Sequence, residues 1–406
     1  MAVGKGIVTD LRPVAGVSLA VGAAGIKKPD HNDLALIHLA PGSRVAGVFT
    51  RNRFCAAPVH VARAHLQAQV ESARALLINT GNANAGTGEQ GHADALACCA
   101  TLAQALGVAP EAVLPFSTGV IGEYLPMDRI EPVLPQLAAA AGEADWYQIG
   151  EAILTTDTRP KGHSVVVHIG DQAVTITGVS KGSGMICPNM ATMLGFVCTD
   201  AELEQADLEA LLQDTNEQSF NRITVDGDTS TNDACIMAAT GASGVALHPG
   251  SEDWNCFHNA VQEVMRELAL QIVRDGEGAN KMVAISVHGA ASVDDALTVA
   301  YTVAHSPLVK TALSASDANW GRILAAVGRA PVASLDLDRV RIDLDDIPLV
   351  KEGGRHPDYT EEQGAALFAE SQFTIHIDLG QGEVTETVWT TDLSHGYVSI
   401  NADYRT

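Results

Sequence analysis

The sequence predicts an α/β protein made of two folded units. Short β-branched runs alternate with stretches of helical periodicity through the first 289 residues, and a separate set of strands with one helix follows residue 290. The chain has 406 residues, more than the roughly 150 of a typical domain. We therefore expect a larger unit over residues 1–289 and a smaller one over residues 290–406.

The elements of the larger unit follow from its hydrophobic patterns. Apolar runs bounded by turn residues predict strands, and apolar residues three and four apart predict helices. The expected elements are strands at 34–39, 45–50 and 75–78, a loop rich in glycine and asparagine over 79–91, a helix over 92–106, a hairpin of 164–169 and 173–177, a strand over 192–199, helices over 200–218 and 254–274, and a strand over 282–288. In the smaller unit we expect strands at 339–344, 373–379 and 384–390 and a helix over 361–370.

Composition limits the classes of partner. Lys and Arg total 25 against 49 Asp and Glu, a formal charge of -24, so nucleic acid and anionic membranes are not expected partners. Seven cysteines without a C-x-x-C pair indicate reduced thiols and a cytoplasmic location. The apolar stretch over 14–26 is interrupted by glycines, so a secretion signal is a minor alternative.

Several motifs of known chemistry can be weighed from spacing alone. The sequence GTGEQG at 86–91 matches a dinucleotide fingerprint, but it does not directly follow a strand, which favours a structural or ligand loop. The acidic loop at 226–233 lacks the glycine and glutamate of a calcium-binding EF-hand loop, and tight turns explain it. Neither a zinc nor a P-loop motif occurs, so no metal is expected. Cys187 and Cys198 are weak candidates for a nucleophile, because they lie in no recognisable signature.

The segment KGSGMICPNMATML at 181–194 has an ordinary interpretation as a glycine loop, a proline turn and a buried strand. It also closely resembles the signature of the ornithine acetyltransferase family, in which an Ala-Thr bond is the point of self-cleavage. The resemblance covers essentially the whole chain. It includes GIKK (25–28), VFTRNRFCAAPV (48–59), NTGNANA (79–85), STGVIG (117–122), TTDT (155–158), TVDGD (224–228), SDANWGR (316–322) and INADYRT (400–406).

The resemblance implies a fold and a reaction. The fold is an N-terminal-nucleophile-like αββα sandwich with a smaller C-terminal α/β domain, cut between Ala191 and Thr192 into an α chain (1–191) and a β chain (192–406). Thr192 would carry acetyl from N2-acetyl-L-ornithine to L-glutamate in a ping-pong reaction. A threonine hydroxyl needs a base, and cleavage creates one, because the new α-amine has a pKa of roughly 7.7 to 8.0 in model peptides.

The resemblance also assigns site residues and partners. The oxyanion would be stabilised by the Thr118 hydroxyl and the Gly119 N–H. Substrate contacts are assigned to Thr155, Lys181, Thr192, Glu277, Asn401 and Thr406, with Thr156 left open as an alternative to Thr155. No metal or nucleotide cofactor is implied, although acetyl-CoA is a candidate second donor, and the expected assembly is an α2β2 heterotetramer. The alternatives are a related N-terminal-nucleophile aminopeptidase or amidase, and a non-enzymatic module that binds a dinucleotide at residues 86–91.

Overall fold

The structure is a computed structural model, and it describes residues 3–4, 8, 10–68, 73–187 and 193–403. Three of the predicted site residues, Ala191, Thr192 and Thr406, lie outside these ranges. Within them, no helix is both long and apolar enough to cross a membrane.

Strands and helices alternate along most of the described chain. In chain order, the strands are β1 (Val17–Gly22), β2 (Leu34–Leu39), β3 (Arg44–Phe49), β4 (Ala75–Asn82), β5 (Val113–Val120), β6 (Lys161–Ile169), β7 (Gln172–Lys181), β8 (Leu194–Thr199), β9 (Ile223–Thr224), β10 (Ala234–Ala239), β11 (Met282–Ala290), β12 (Arg341–Leu344), β13 (Ile347–Lys351), β14 (Gly354–Arg355), β15 (Gln372–Asp378) and β16 (Val384–Thr391). The helices are α1 (Ala57–Ala68), α2 (Gly88–Leu106), α3 (Met127–Ile130), α4 (Leu134–Ala139), α5 (Trp146–Ala152), α6 (Gln205–Glu217), α7 (Trp254–Arg274), α8 (Val293–Ala304), α9 (Pro307–Ser314), α10 (Trp320–Gly328), α11 (Glu361–Ala369) and α12 (His395–Ala402).

Two sheets pack face to face in the larger unit. One has the strand order β1-β2-β4-β5 and the other β3-β10-β8-β7-β6. A shared core fills the space between them, in which the rings of Phe116 and Phe196 meet edge to face with centroids 5.2 Å apart. Helices α2 and α4 cover the outer face of the first sheet, and α6 and α7 cover that of the second. The larger unit is therefore an αββα sandwich, as the resemblance implied.

The smaller unit is built on a sheet with the order β14-β13-β12-β15-β11-β16-β9. Its separate core includes side chains of β11 from Val283 onward and of helices α8, α9, α10 and α11. Strand β11 belongs to this sheet although it precedes the boundary expected at 289/290, which stays a prediction. Strand β9, from the middle of the larger unit, pairs with β16 at the sheet edge and joins the two units.

Local sequence accounts for the elements that frame the site. The hairpin β6-β7 turns at Gly170 and Asp171, where Gly170 has φ +59°, the left-handed conformation that two-residue hairpin turns require. Helix α7 buries a continuous apolar stripe and has the predicted bounds. It ends where Asp275 and Gly276 lead directly into the site.

Candidate active site

A cavity of about 270 Å³ lies where the ends of β5 and β7 meet the loops after α5, β7 and α7 and the helix α12. All six described residues that the resemblance assigned to the site line it: Thr118, Gly119, Thr155, Lys181, Glu277 and Asn401. They come from five separate parts of the chain, since only Thr118 and Gly119 are adjacent in sequence. The fold, not their spacing, brings them to one cavity. Three further predicted residues, Ala191, Thr192 and Thr406, fall outside the described ranges.

Thr118 and Gly119 lie near the end of β5, which pairs in parallel with β4. The pairing slips at Gly81 and Asn82, next to Gly119. Gly119 has φ +137°, and a Cβ added there would stand 2.2 Å from the Gly81 carbonyl carbon. Only glycine fits this position, so the backbone can run against β4 and still face the cavity.

Lys181 is the last residue of β7, and only 4% of its surface is exposed. Its Nζ donates to the Thr118 hydroxyl at 2.9 Å and to the Thr155 hydroxyl at 3.0 Å. Burial lowers the pKa of Lys181, and the carboxylates of Asp157 and Glu277 oppose that shift. An ammonium group has three donors, and the described residues take up two of them, which leaves one N–H for a ligand as far as these residues are concerned.

A buried ion network lies beneath Lys181. Lys161 Nζ is 2.6 Å from Asp157 Oδ1 and 2.7 Å from Asp275 Oδ2, and all three side chains are fully buried. Asp157 also accepts the backbone N–H of Gly182 at 2.7 Å, which fixes the chain directly after Lys181. Burial alone would raise the pKa of Asp157, but the charges of Lys161 and Lys181 outweigh it and hold the pKa well below its usual range.

Sequence reasoning missed this network. Asp157 and Lys161 are four residues apart, a spacing that would suggest a helical pair, but in the fold they straddle the start of β6. The third member, Asp275, is distant in sequence and was interpreted only as a helix end. The position of Asp157 inside the TTDT motif was the one available signal.

Glu277 also lines the cavity, on the turn that follows α7, and its charge acts on Lys181. Its Oε2 accepts from Asn401 Nδ2 at 2.8 Å, and its backbone N–H donates to the Ser183 carbonyl at 2.8 Å. A Cβ at Gly184 would lie 2.4 Å from Glu277 Oε2, so glycine is needed for the carboxylate to reach the cavity. Helix α12 thus supplies one wall of the site through Asn401.

The adjacent residues Thr155 and Thr156 both line the cavity. The Thr155 hydroxyl accepts from Lys181, whereas the Thr156 hydroxyl is 2.7 Å from that of Ser183. The two side chains therefore belong to different hydrogen-bonded groups. Thr155 is the one joined to the predicted oxyanion residues.

The cysteine alternatives do not have nucleophilic character. Cys187 Sγ lies 3.8 Å from His305 Nε2, but burial raises the pKa of Cys187 to about 12 and lowers that of His305 to about 4. Both groups are then neutral near pH 7, and no thiolate forms. Burial likewise raises the pKa of Cys198 to about 12.

The two remaining motifs are the acidic loop at 226–233 and the glycine-rich loop, and side chains in both form hydrogen bonds with backbone groups. Asp226 accepts the backbone N–H groups of Met185 at 2.7 Å and Ile186 at 3.1 Å, so the acidic loop fixes the glycine segment after β7. In the glycine-rich loop, Asn84 Nδ2 donates to the Gly91 carbonyl at 2.8 Å. Among the described residues no group of three or more His, Cys, Asp or Glu side chains is arranged to hold a metal ion.

Comparison with known proteins places the chain in a family. The model of the ArgJ family matches residues 18–406. This chain belongs to the ArgJ family. It is 51% identical over 408 aligned positions, with both proteins covered completely, to the arginine biosynthesis bifunctional protein ArgJ of Pseudomonas syringae pv. tomato.

Solved structures of ArgJ relatives are also similar in sequence. The crystal structure of the arginine biosynthesis bifunctional protein ArgJ of Bacillus halodurans is 39% identical over 51% of this chain and 97% of that one, with a TM-score of 0.49. The ornithine acetyltransferase of Mycobacterium tuberculosis, solved in complex with ornithine, is 34% identical over 43% of this chain and 92% of that one, with a TM-score of 0.37.

Proposed function

We propose that this member of the ArgJ family is a self-cleaving acetyltransferase of arginine biosynthesis that moves acetyl from N2-acetyl-L-ornithine to L-glutamate. The observation that carries the proposal is the convergence of Thr118, Gly119, Thr155, Lys181, Glu277 and Asn401 on one cavity. Family membership over residues 18–406 supports the same reaction.

The nucleophile in this proposal is Thr192. In the uncut chain its hydroxyl attacks the Ala191 carbonyl carbon, and water hydrolyses the resulting ester, which leaves Thr192 as a new amino terminus. Its α-amine then accepts the hydroxyl proton when Thr192 attacks the acetyl group of N-acetylornithine. Ornithine leaves, and glutamate takes the acetyl group in a second half-reaction.

The described residues fit the electrostatic demands of both half-reactions. A tetrahedral intermediate places negative charge on the former carbonyl oxygen, and donors aimed at that position lower the barrier. Thr118 and Gly119 line the cavity together, and in this proposal they supply a hydroxyl and a backbone N–H as these donors. Because Thr118 accepts its hydrogen bond from the Lys181 ammonium, the threonine's own proton is left to point toward the oxyanion.

The opposite charges of Lys181 and Glu277, which both line the cavity, suit an amino-acid substrate. In this proposal the Lys181 N–H that no described residue accepts binds a carboxylate, and Glu277 binds the side-chain ammonium of ornithine. Asn401 holds the Glu277 carboxylate at 2.8 Å and thereby orients it. Thr406 is proposed as a further contact from the family resemblance alone.

The proposal extends to partners and location. Acetyl-CoA is a candidate second acetyl donor, which would let the enzyme make N-acetylglutamate directly. The two chains produced by cleavage would assemble as an α2β2 heterotetramer in the cytoplasm.

Intact mass spectrometry of the purified protein and of a Thr192→Ala variant, with and without N-acetylornithine, tests the proposal. We expect two fragments joining at Ala191 and Thr192 in the wild type only, with an acetyl adduct on the fragment that starts at Thr192. An uncut, unmodified wild-type chain would refute it. Release of free acetate without transfer to glutamate would instead support the aminopeptidase or amidase alternative.

A further inference from the structure

Asp233 is a fully buried carboxylic acid beside the start of β8. It directly precedes β10, which pairs in parallel with β8 from Ala234 and Leu194 onward. Its Oδ1 accepts the backbone N–H of Met193 at 2.9 Å, while Ala234 donates its N–H to the Met193 carbonyl at 3.2 Å. The Met193 nitrogen is bonded to the carbonyl carbon of Thr192, so the backbone group that this carboxyl holds is one residue along the chain from the proposed cleavage bond.

The second oxygen of Asp233 is unusual in its surroundings. Oδ2 is buried and has no hydrogen-bond partner among the residues that the structure describes. Leaving a buried polar atom unpaired costs about 1–3 kcal/mol, and more when it is charged. Burial also raises the pKa of Asp233 well above its usual range, against the opposing effects of the Met193 N–H, the Lys181 charge and the Ser230 hydroxyl. The neutral acid, which holds a proton, is therefore favoured.

Asp233 also adjoins the wall of the active-site cavity. Its neighbour Asn232 lines the cavity and donates through Nδ2 to the Ala83 carbonyl at 2.6 Å and to the Ser117 carbonyl at 2.9 Å. Ser117 immediately precedes Thr118. The loop before β10 thus ties the oxyanion residues to the position where the second chain would begin.

We propose that Asp233 is the proton-transfer residue of self-cleavage, a role that rests on the proposed function. As the Thr192 hydroxyl attacks the Ala191 carbonyl carbon, the new C–O bond forms and the C–N bond breaks. The departing nitrogen takes the proton from the neutral carboxyl, and the carboxyl recovers a proton from the attacking hydroxyl. The products are an ester and a neutral amine, and Asp233 ends as the neutral acid from which it started.

A purely structural role makes a different prediction. If Asp233 only accepts the Met193 N–H, asparagine would replace it, because its side-chain oxygen can accept the same hydrogen bond. Asparagine cannot exchange a proton with the reacting groups. Asp233→Asn therefore separates the two roles, and Asp233→Glu keeps the acid at a slightly different position.

Asp200 provides the matched control. It lies directly after β8, at the opposite end of that strand, is buried, and accepts the Thr175 N–H through Oδ1 at 2.8 Å. Asp200→Asn makes the same chemical change far from the cavity. We expect it to leave the cleavage rate unchanged.

The experiment follows cleavage of the full chain after pulse-labelled cell-free synthesis, by denaturing gels across a series of pH values. We expect Asp233→Asn to slow cleavage by about 100- to 10,000-fold, the usual contribution of proton transfer, and Asp233→Glu to recover part of the rate. Cleavage of Asp233→Asn at the wild-type rate would overturn the inference, whereas a wild-type chain that never cuts at Thr192 would overturn the proposed function itself.

The pH profile of the wild type decides the matter if Asp233→Asn fails to fold, as judged by its near-ultraviolet circular dichroism. A neutral acid is required, so cleavage must fall as pH rises through the raised pKa of the carboxyl. Among the described residues, the titratable groups whose charges interact with Asp233 are the Lys181 ammonium and the thiols of Cys55 and Cys187, and burial raises the pKa of both thiols. A rate that only climbs with pH would overturn the inference.

Discussion

Replacing Lys181 by methionine tests whether this buried ammonium acts through Thr118. Methionine keeps an unbranched apolar stem of similar length, but it removes the donors at 2.9 Å from the Thr118 hydroxyl and 3.0 Å from the Thr155 hydroxyl. A hydrogen bond from a charged group contributes about 1.5–3 kcal/mol. At about 1.4 kcal/mol for each tenfold change in rate, kcat should fall about 10- to 150-fold.

The assay is acetyl transfer from N-acetylornithine to glutamate, normalised to the cleaved fraction measured by intact mass. Thr118→Val alone should reduce kcat by about 100- to 1,000-fold, as expected for loss of an oxyanion donor. If Lys181 acts through Thr118, the double variant Lys181→Met/Thr118→Val will have a kcat within a few-fold of that of Thr118→Val alone. Lys351→Met, at an exposed lysine of the smaller unit, is the control.

Two results would refute the reasoning. Additive losses in the double variant would mean that Lys181 and Thr118 act independently. A rise in KM with unchanged kcat would mean that Lys181 only binds a substrate carboxylate.

Three further predictions concern the surrounding residues. Glu277→Gln should raise KM for N-acetylornithine about 10- to 100-fold with less effect on kcat, because it removes the charge proposed to bind the substrate ammonium. The control is Glu267→Gln, at a partly exposed carboxylate. An equal rise in KM in this control would contradict the prediction. Asp157→Asn should lower the free energy of unfolding at pH 7 by about 3–5 kcal/mol, measured with urea, because it leaves Lys161 buried with one partner fewer. Because the folded pKa of Asp157 is depressed, its contribution is present above the unfolded pKa of about 3.9 and is lost as pH falls below it, so the difference between wild type and variant should shrink in acid. Gly119→Ala should abolish cleavage and lower the thermal midpoint, whereas Gly142→Ala, at a similar φ of +103° with open space around it, should lower the midpoint only slightly.

The sequence was informative wherever one periodic pattern decides an element. Helix α7 has the predicted bounds because its apolar stripe runs unbroken until Asp275 and Gly276. Other elements lacked such a pattern. Strand β4 continues to Asn82, beyond the predicted end at 78, because its backbone goes on pairing with β5 through polar residues that a short apolar template does not anticipate. The stretch weighed as a secretion signal contains β1, which its glycines had obscured.

The site was predictable only in part. Thr118, Gly119 and Lys181 came from family resemblance, and by spacing alone they would have been assigned to ordinary turns and strand ends. Residues that act through distant partners gave no local signal: Asp275 meets Lys161 across 114 positions, and Asp233 meets Met193 across 40. Such pairs arise from the stacking and register of sheets, which one sequence does not specify.

The strand order β3-β10-β8-β7-β6 has a consequence for a chain cut after residue 191. Strands β3, β6 and β7 would belong to the first piece and β8 and β10 to the second, so the β3-β10 and β7-β8 ladders would both be contacts between pieces. Neither piece contains the complete second sheet of the sandwich. The two central strands β10 and β8 from the second piece lie between β3 on one side and β7 and β6 on the other, all from the first piece. Separating the two pieces would require breaking the hydrogen bonds of both the β3-β10 and the β7-β8 ladders. A cut enzyme that has been denatured would have to find its other half by collision, so its recovery should depend on protein concentration, whereas recovery of the uncut chain should not. Cleavage would thus convert the folding of one chain into the assembly of two.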